Sequence, residues 1–201
     1  MQQARRAWGQ ALPTLEVEKL VFIDETWTST RMTHRYGRAP RGKRCIDSAP
    51  HGPWETTTFV GALRRRRLTA PMVTDGPIYG EIFLAWMRKF LCPTLQPADT
   101  VILDNLSSHK VAGVEEAITA TGAFMLFLPP YSPDLNRIEK FFSKLKARLR
   151  KAAKRDIDAL WKEIRELLNT VSSTEYTNFF ASCGCKHLNQ NRSSPHFSRE
   201  N

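Results

Sequence analysis

Residues 19–27, KLVFIDETW, decide how the rest of the chain is read. Four apolar residues, Leu20 to Ile23, run unbroken into two acids, Asp24 and Glu25. A short continuous apolar run of this kind is a buried strand, and the acids mark an end exposed to solvent. A carboxylate at the end of an apolar strand is costly unless something pairs it, so Asp24 calls for a partner. Strand alternation turns Glu25 to the opposite face, where it reads as a structural or supporting acid.

Outward from this strand, residues 31–36 can pair with it as a second strand, and 55–63 (ETTTFVGAL) read as a third. Arg64–Arg67 form a turn, after which residues 68–73 continue the sheet. Between them, residues 37–53 (GRAPRGKRCIDSAPHGP) are a long basic loop rich in Gly and Pro, and loops of this length are often functional. Pro77 suits a helix first turn, and Ile78, Ile82, Phe83, Trp86, Met87 and Phe90 follow at helical spacing. TVIL (100–103) is a short buried strand ending at Asp104, and Val111, Val114, Ala117 and Ile118 mark another helix. A further strand is expected at 123–128 (AFMLFL). The prolines of PPYSPD (129–134) interrupt regular structure, and helices are expected over about 134–152 and 156–169.

Adjacent strands come first, and strands alternating with helices follow. That order describes an α/β fold: a mixed sheet, antiparallel meander plus parallel strands, flanked by helices. It divides the chain into a polar lead-in (1–18), one domain (19–182) and a polar tail (183–201) expected to be disordered.

Asp104 repeats the pattern of Asp24, an acid closing an apolar run. A third acid enters through the helix after the prolines. On a helical wheel Ile138, Phe141, Phe142, Leu145, Leu149 and Ala152 form the buried stripe, and Glu139 borders it beside Ser143, Lys146 and Arg150. Glu139 has no basic residue three or four positions away to explain it as a local ion pair. Asp134 reads as a helix N-cap. Three carboxylates are enough to hold two Mg²⁺ ions, with Mn²⁺ able to substitute, and two such ions activate both oxygens of an in-line phosphodiester displacement.

The 201 residues carry 30 Lys and Arg against 20 Asp and Glu, a net charge of +10 that favours a polyanionic partner. The basic residues of the loop, Arg35, Arg38, Arg41, Lys43 and Arg44, and Lys146 and Arg150 on the Glu139 flank, are candidates for phosphate contacts. Arg64–Arg67 can do the same or be solvated turn charge. Trp27 and Trp54 can stack on unpaired bases, whereas Trp86 belongs to the core. No apolar run approaches the roughly 18 residues of a membrane span, and Met1–Trp8 lack a signal peptide's apolar region. Four irregularly spaced cysteines point to a reducing, cytoplasmic setting, and Cys183, Cys185 and His187 lack a second ligand pair at zinc-finger spacing.

Three blocks now carry a resemblance: VFIDETW (21–27), VILDNLSSHK (101–110) and LPPYSPDLNRIEKFFSKLKARLR (128–150), with RYGRAPRGKR (35–44) beside them. Together they resemble the DDE transposases of the mariner superfamily, most closely its bacterial insertion-sequence branch, over about residues 4–182. Thirty-four residues separate Asp104 from Glu139, in agreement with that family. The resemblance implies a ribonuclease-H-like catalytic domain. It implies Asp24, Asp104 and Glu139 as the metal-binding catalytic triad, with Asn105, His109 and Asn136 supporting its geometry. It further implies cleavage and strand transfer of double-stranded DNA at element ends and target, by a homodimer acting on nucleoid DNA. The 37–53 loop matches a region that helps pair subunits and clamp DNA.

Arg137 stands where the family usually has proline, which either loosens the turn before Glu139 or adds a phosphate contact. The family's N-terminal helix-turn-helix modules have no counterpart here, so an upstream helix-turn-helix polypeptide is an expected partner. Two other readings stand beside this one: a different ribonuclease-H-like nuclease, and a catalytically silent DNA-binding remnant. PPYSPDLN argues against the first, and three intact acids argue against the second.

Overall fold

A computed structural model describes residues 2–46 and 54–181. Its centre is strand β1 (Leu20–Ser29), which begins with the apolar run and continues well past the acids. β1 pairs antiparallel with β2 (Thr56–Leu63), and β2 antiparallel with β3 (Leu68–Asp75). On its other edge β1 pairs parallel with β4 (Thr100–Leu103), and β4 parallel with β5 (Phe124–Phe127). The sheet order is β3-β2-β1-β4-β5, the expected meander joined to parallel strands.

Alternation along β1 splits the core into two layers. Leu20 and Phe22 face the side covered by α1 (Gln2–Ala11), α4 (Ile138–Ala152), α5 (Ile157–Thr170) and α6 (Ser173–Ala181). Val21 and Ile23 face α2 (Gly80–Trp86), the π-helical turn that continues it (Met87–Leu91) and α3 (Val114–Thr119). Trp86 is in this second layer, as expected, and its indole donates to the Ala70 carbonyl. By the same alternation Asp24 follows Phe22 onto the α4 side, and Glu25 follows Ile23 onto the other.

Several expectations are corrected. Residues 31–36 are not a strand. The chain turns after β1, with the Met32 amide donating to the Ser29 carbonyl. The Arg155 guanidinium takes the Thr30 and Met32 carbonyls, so those groups serve a side chain instead of a sheet ladder. Asp24 is therefore not at a strand end. The helix expected from 134 starts at Ile138, because Pro133–Leu135 make a single 3₁₀ turn and Asn136 is extended (φ −81°, ψ 111°). The lead-in is helical: Trp8 and Leu12 are buried in the α4 layer. α6 completes that layer with Tyr176 and Phe180.

Arg64 is corrected too. It is buried and ion-paired to the buried Asp99, so it is a core residue and not a phosphate contact. Arg65 pairs with Glu18, while Arg66 and Arg67 are exposed. Among the described residues no helix is long and apolar enough to cross a membrane. The tail with Cys183, Cys185 and His187, and loop residues 47–53, lie outside the described residues.

Candidate active site

β4 pairs with β1 only as far as Phe22, opposite Ile102. Beyond that register the two strands part, and each presents an acid at the opening: Asp24 on β1 and Asp104 just after β4. A divergence between adjacent parallel strands is where an α/β sheet forms a crevice. α4 crosses the same opening and brings Glu139 in its first turn. All three expected acids line one cleft of about 380 Å³, together with Asn105, Asn136 and the proline loop at 129–133.

The acids sit in different surroundings. Asp24 is 7% exposed. Its Oδ1 accepts the Glu25 amide at 2.8 Å, and its Oδ2 accepts Asn136 Nδ2 at 2.9 Å. Burial raises its pKa well above the ordinary carboxylate range, and the charges of Asp104, Glu25 and Glu139 push it further. Glu139 is also raised, by partial burial and by Asp104, against the opposing pull of Lys146. Asp104 moves the other way. Burial would raise it, but His109, the Leu106 amide and Lys110 outweigh that and hold it below the ordinary range.

His109 is the support the sequence suggested. Its ring is fully buried, with Nδ1 2.7 Å from Asp104 Oδ1 and Nε2 2.8 Å from Glu25 Oε2. Burial alone would lower its pKa. The two carboxylates overcome this and lift it to about 9, so the ring is an imidazolium at neutral pH. Phe83 packs against it at 4.4 Å between ring centroids. Glu25, set aside as a supporting acid, is what completes this bridge. Asn105 Nδ2 donates to the Leu128 carbonyl at 2.6 Å, fixing the exit of β4 to the start of the proline loop. Asp134 does not cap α4; it receives a forked pair from Arg5 of α1, which also donates to Ser132 Oγ at 2.8 Å.

The basic candidates divide. Lys146 lies on the Glu139 flank of α4, its ammonium 5.3 Å from the centre of the Trp27 ring, which is 59% exposed. Burial lowers the Lys146 pKa, with Glu139 opposing and Arg150 and Arg35 adding to the fall. Arg150 is likewise lowered, by burial and then by Arg35. Arg38, Arg41, Lys43 and Arg44 are exposed on irregular backbone. Trp54 is exposed beneath the Arg31 guanidinium, 4.6 Å from it. Arg137 is corrected: it is 1% exposed, held between Phe22 and Phe180, and reaches no phosphate.

The donor set suits a hard divalent cation: carboxylate oxygens that repel one another across an open cleft. Among the described residues no group of three or more His, Cys, Asp or Glu side chains stands close enough together to hold a metal ion. An open arrangement fits Mg²⁺, which keeps waters and takes substrate oxygens beside one or two carboxylates.

Residues 19–161 match the family model of the DDE superfamily endonucleases. Among solved structures the chain is similar to a Mos1 transposase paired-end complex with left transposon end, at 14% identity and a TM-score of 0.70, covering 89% of this chain and 56% of that one. It is similar to the mariner Mos1 paired end complex with Mg, at 13% identity and a TM-score of 0.70, over 89% and 56% of the two chains. The catalytic domain of Mos1 mariner transposase matches at 12% identity and a TM-score of 0.63, over 89% and 83%. The chain spans a little over half the length of the first two. No curated protein matches it by sequence. At these identities the likeness is one of fold, and the fold is ribonuclease-H-like.

Proposed function

The chain belongs to the DDE superfamily endonucleases, and on that premise we propose that it is the catalytic domain of a mariner-like transposase of the bacterial insertion-sequence type. Its reaction is hydrolysis of a phosphodiester at an element end, leaving a 3′ hydroxyl, then in-line attack of that hydroxyl on a target phosphodiester, which forms the new P–O bond as the target's own 3′ oxygen leaves and takes up the proton. Asp24, Asp104 and Glu139 would hold two Mg²⁺ or Mn²⁺ ions, which supply an activated oxygen nucleophile and charge neutralisation at the leaving oxygen. Asn136 orients the Asp24 carboxylate through its amide. His109 pins Asp104 against Glu25 and keeps its ionised form available. Lys146 and Arg150, on the same flank of α4 as Glu139, would take backbone phosphates entering the cleft, with Arg38, Arg41, Lys43 and Arg44 extending that track. The partners of this reading are double-stranded DNA, a second copy of the chain, and an upstream helix-turn-helix segment.

What supports the reading is the convergence of three acids on one cleft, with Asp24 held protonation-prone by its burial and then by the others' charge. The test is cleavage of terminal-repeat DNA in Mg²⁺ or Mn²⁺, with the upstream DNA-binding segment supplied. The wild-type chain is expected to cut only with metal, and Asp104→Ala to abolish cutting while its circular dichroism spectrum remains that of the folded protein. Metal-dependent cutting by the folded Asp104→Ala variant would overturn the assignment.

A further inference from the structure

Arg137 sits between Asn136, which orients Asp24, and Glu139, two residues on. Its side chain leaves the cleft altogether. The guanidinium lies 5.3 Å from the centre of the Phe22 ring and 4.3 Å from that of Phe180, and it donates to the Phe180 carbonyl. That carbonyl belongs to the last turn of α6, where a helix has no N–H of its own to offer. An arginine stays charged when buried, so a position that is 1% exposed is retained only where its contacts offset the desolvation. Backbone geometry adds a second observation. Arg137 has φ −67° and ψ −26°, and Asn136 before it is extended at ψ 111°. Those angles are the ones a proline and its preceding residue adopt unaided.

We propose that Arg137 is a positioning residue: by anchoring in α6 it holds the turn that presents Asn136 and Glu139 to the cleft, and it makes the acidic site depend on the C-terminal helix. A proline ring at this position would impose the same φ from within the backbone. Arg137 instead imposes it from outside, through a helix that packs behind α4 and contributes no residue to the lining of the cleft. Loss of the anchor frees the turn, and the Glu139 carboxylate and the Asn136 amide then sample positions away from Asp24. The inference rests on the metal-site reading above.

The experiment compares Arg137→Ala with Arg137→Pro. Both leave the same gap between Phe22 and Phe180 and the same unanswered carbonyl, so both lose stability to a similar degree. Only the alanine frees φ. Mn²⁺ affinity is read by titration calorimetry on folded protein, and backbone amide exchange over residues 136–141 is read without metal. Arg137→Ala is expected to weaken Mn²⁺ binding by about tenfold, the scale of losing a ligand's support, and to speed exchange in the turn. Arg137→Pro is expected to recover most of both losses while remaining as unstable as the alanine variant. If the two variants match each other in affinity and exchange, Arg137 is a packing residue and the proposal falls. Absence of Mn²⁺ binding by the wild-type chain would overturn the metal-site reading and this inference with it, whereas unchanged exchange in Arg137→Ala would overturn this inference alone.

Discussion

Replacing Arg64 with alanine should strongly destabilise the protein, although the residue opens a run of four arginines that reads as a DNA contact. Arg64 Nη2 lies 2.6 Å from Asp99 Oδ2 and 3.0 Å from the Thr94 carbonyl, and Asp99 is fully buried. The Gln96 amide is the carboxylate's other donor, at 2.7 Å. Arg64→Ala strands a buried negative charge on a single amide, a change that costs about 3–5 kcal/mol. Against a typical total of about 5–15 kcal/mol, that is about a fifth of the stability or more. In a domain of this size it lowers the unfolding temperature by roughly 10 °C. Asp99 Oδ1 and Arg64 Nε make no hydrogen bond among the described residues, so the pair is incompletely satisfied. Removing both charges, as Arg64→Met with Asp99→Leu, should therefore cost far less than removing one. Urea unfolding followed by tryptophan fluorescence measures all three proteins, with Arg66→Ala as an exposed control expected within about 0.5 kcal/mol of wild type. A cost below about 1 kcal/mol for Arg64→Ala would refute the argument, as would a double variant no better than the single one.

The N-terminal segment is expected to be integral: Trp8→Ala should cost about 3–5 kcal/mol in the same assay, because the ring is 6% exposed in the α4 layer, and a loss under 1 kcal/mol would show α1 to be dispensable. The His109 bridge should make stability depend on pH. Its pKa rises from 6.5 to about 9 in the folded chain, so its contribution is whole below pH 6.5 and disappears as pH climbs through about 9. The size is on the order of 3 kcal/mol. In chelator, wild-type stability should fall between about pH 7 and 10 by that margin more than His109→Gln, and parallel curves would dismiss the imidazolium.

The parts of the fold that were legible in the sequence are those where burial alone sets the pattern. Leu20–Ile23 and Thr100–Leu103 form strands because apolar side chains on both faces need cover on both sides, and helices supply it, whereas the 123–128 run forms the half-covered edge strand beside them. The second half of β1 was harder to see. Thr26, Thr28 and Ser29 are buried polar residues whose place depends on the threonines of β2 beside them. Residues 31–36 misled for the converse reason: a strand-like pattern found no sheet edge, and Arg155, more than a hundred residues on, took the backbone carbonyls. Arg64 and Arg137 show the same blindness for charge. Sequence records that a residue is cationic, but burial is decided by Asp99 and Phe180, partners far along the chain.

The three acids were legible because each borders an apolar stretch that must be buried: Asp24 and Asp104 directly follow Leu20–Ile23 and Thr100–Leu103, and Glu139 flanks the buried stripe of α4 in its first turn. Their electrostatics then separate function from architecture. Elsewhere the carboxylates are held where pairing favours folding: Arg5 lowers Asp134, and Lys144 lowers Glu175. Asp24 is raised instead, so its stabilising contribution belongs to low pH and is lost as pH rises through its folded pKa; its ionised form opposes folding. Asn136 answers only one of its oxygens from a side chain, and the nearest charges are acids. An amide or a threonine at position 24 would spare the fold that opposition. The acid is explained when something positive completes the cleft: His109 is already held by Asp104 and Glu25, Arg137 is anchored in α6, and Lys146, packed over Trp27, pulls on Glu139 from its own flank. A divalent cation, arriving with the phosphate it helps to cut, meets that need without adding a permanent charge to the core.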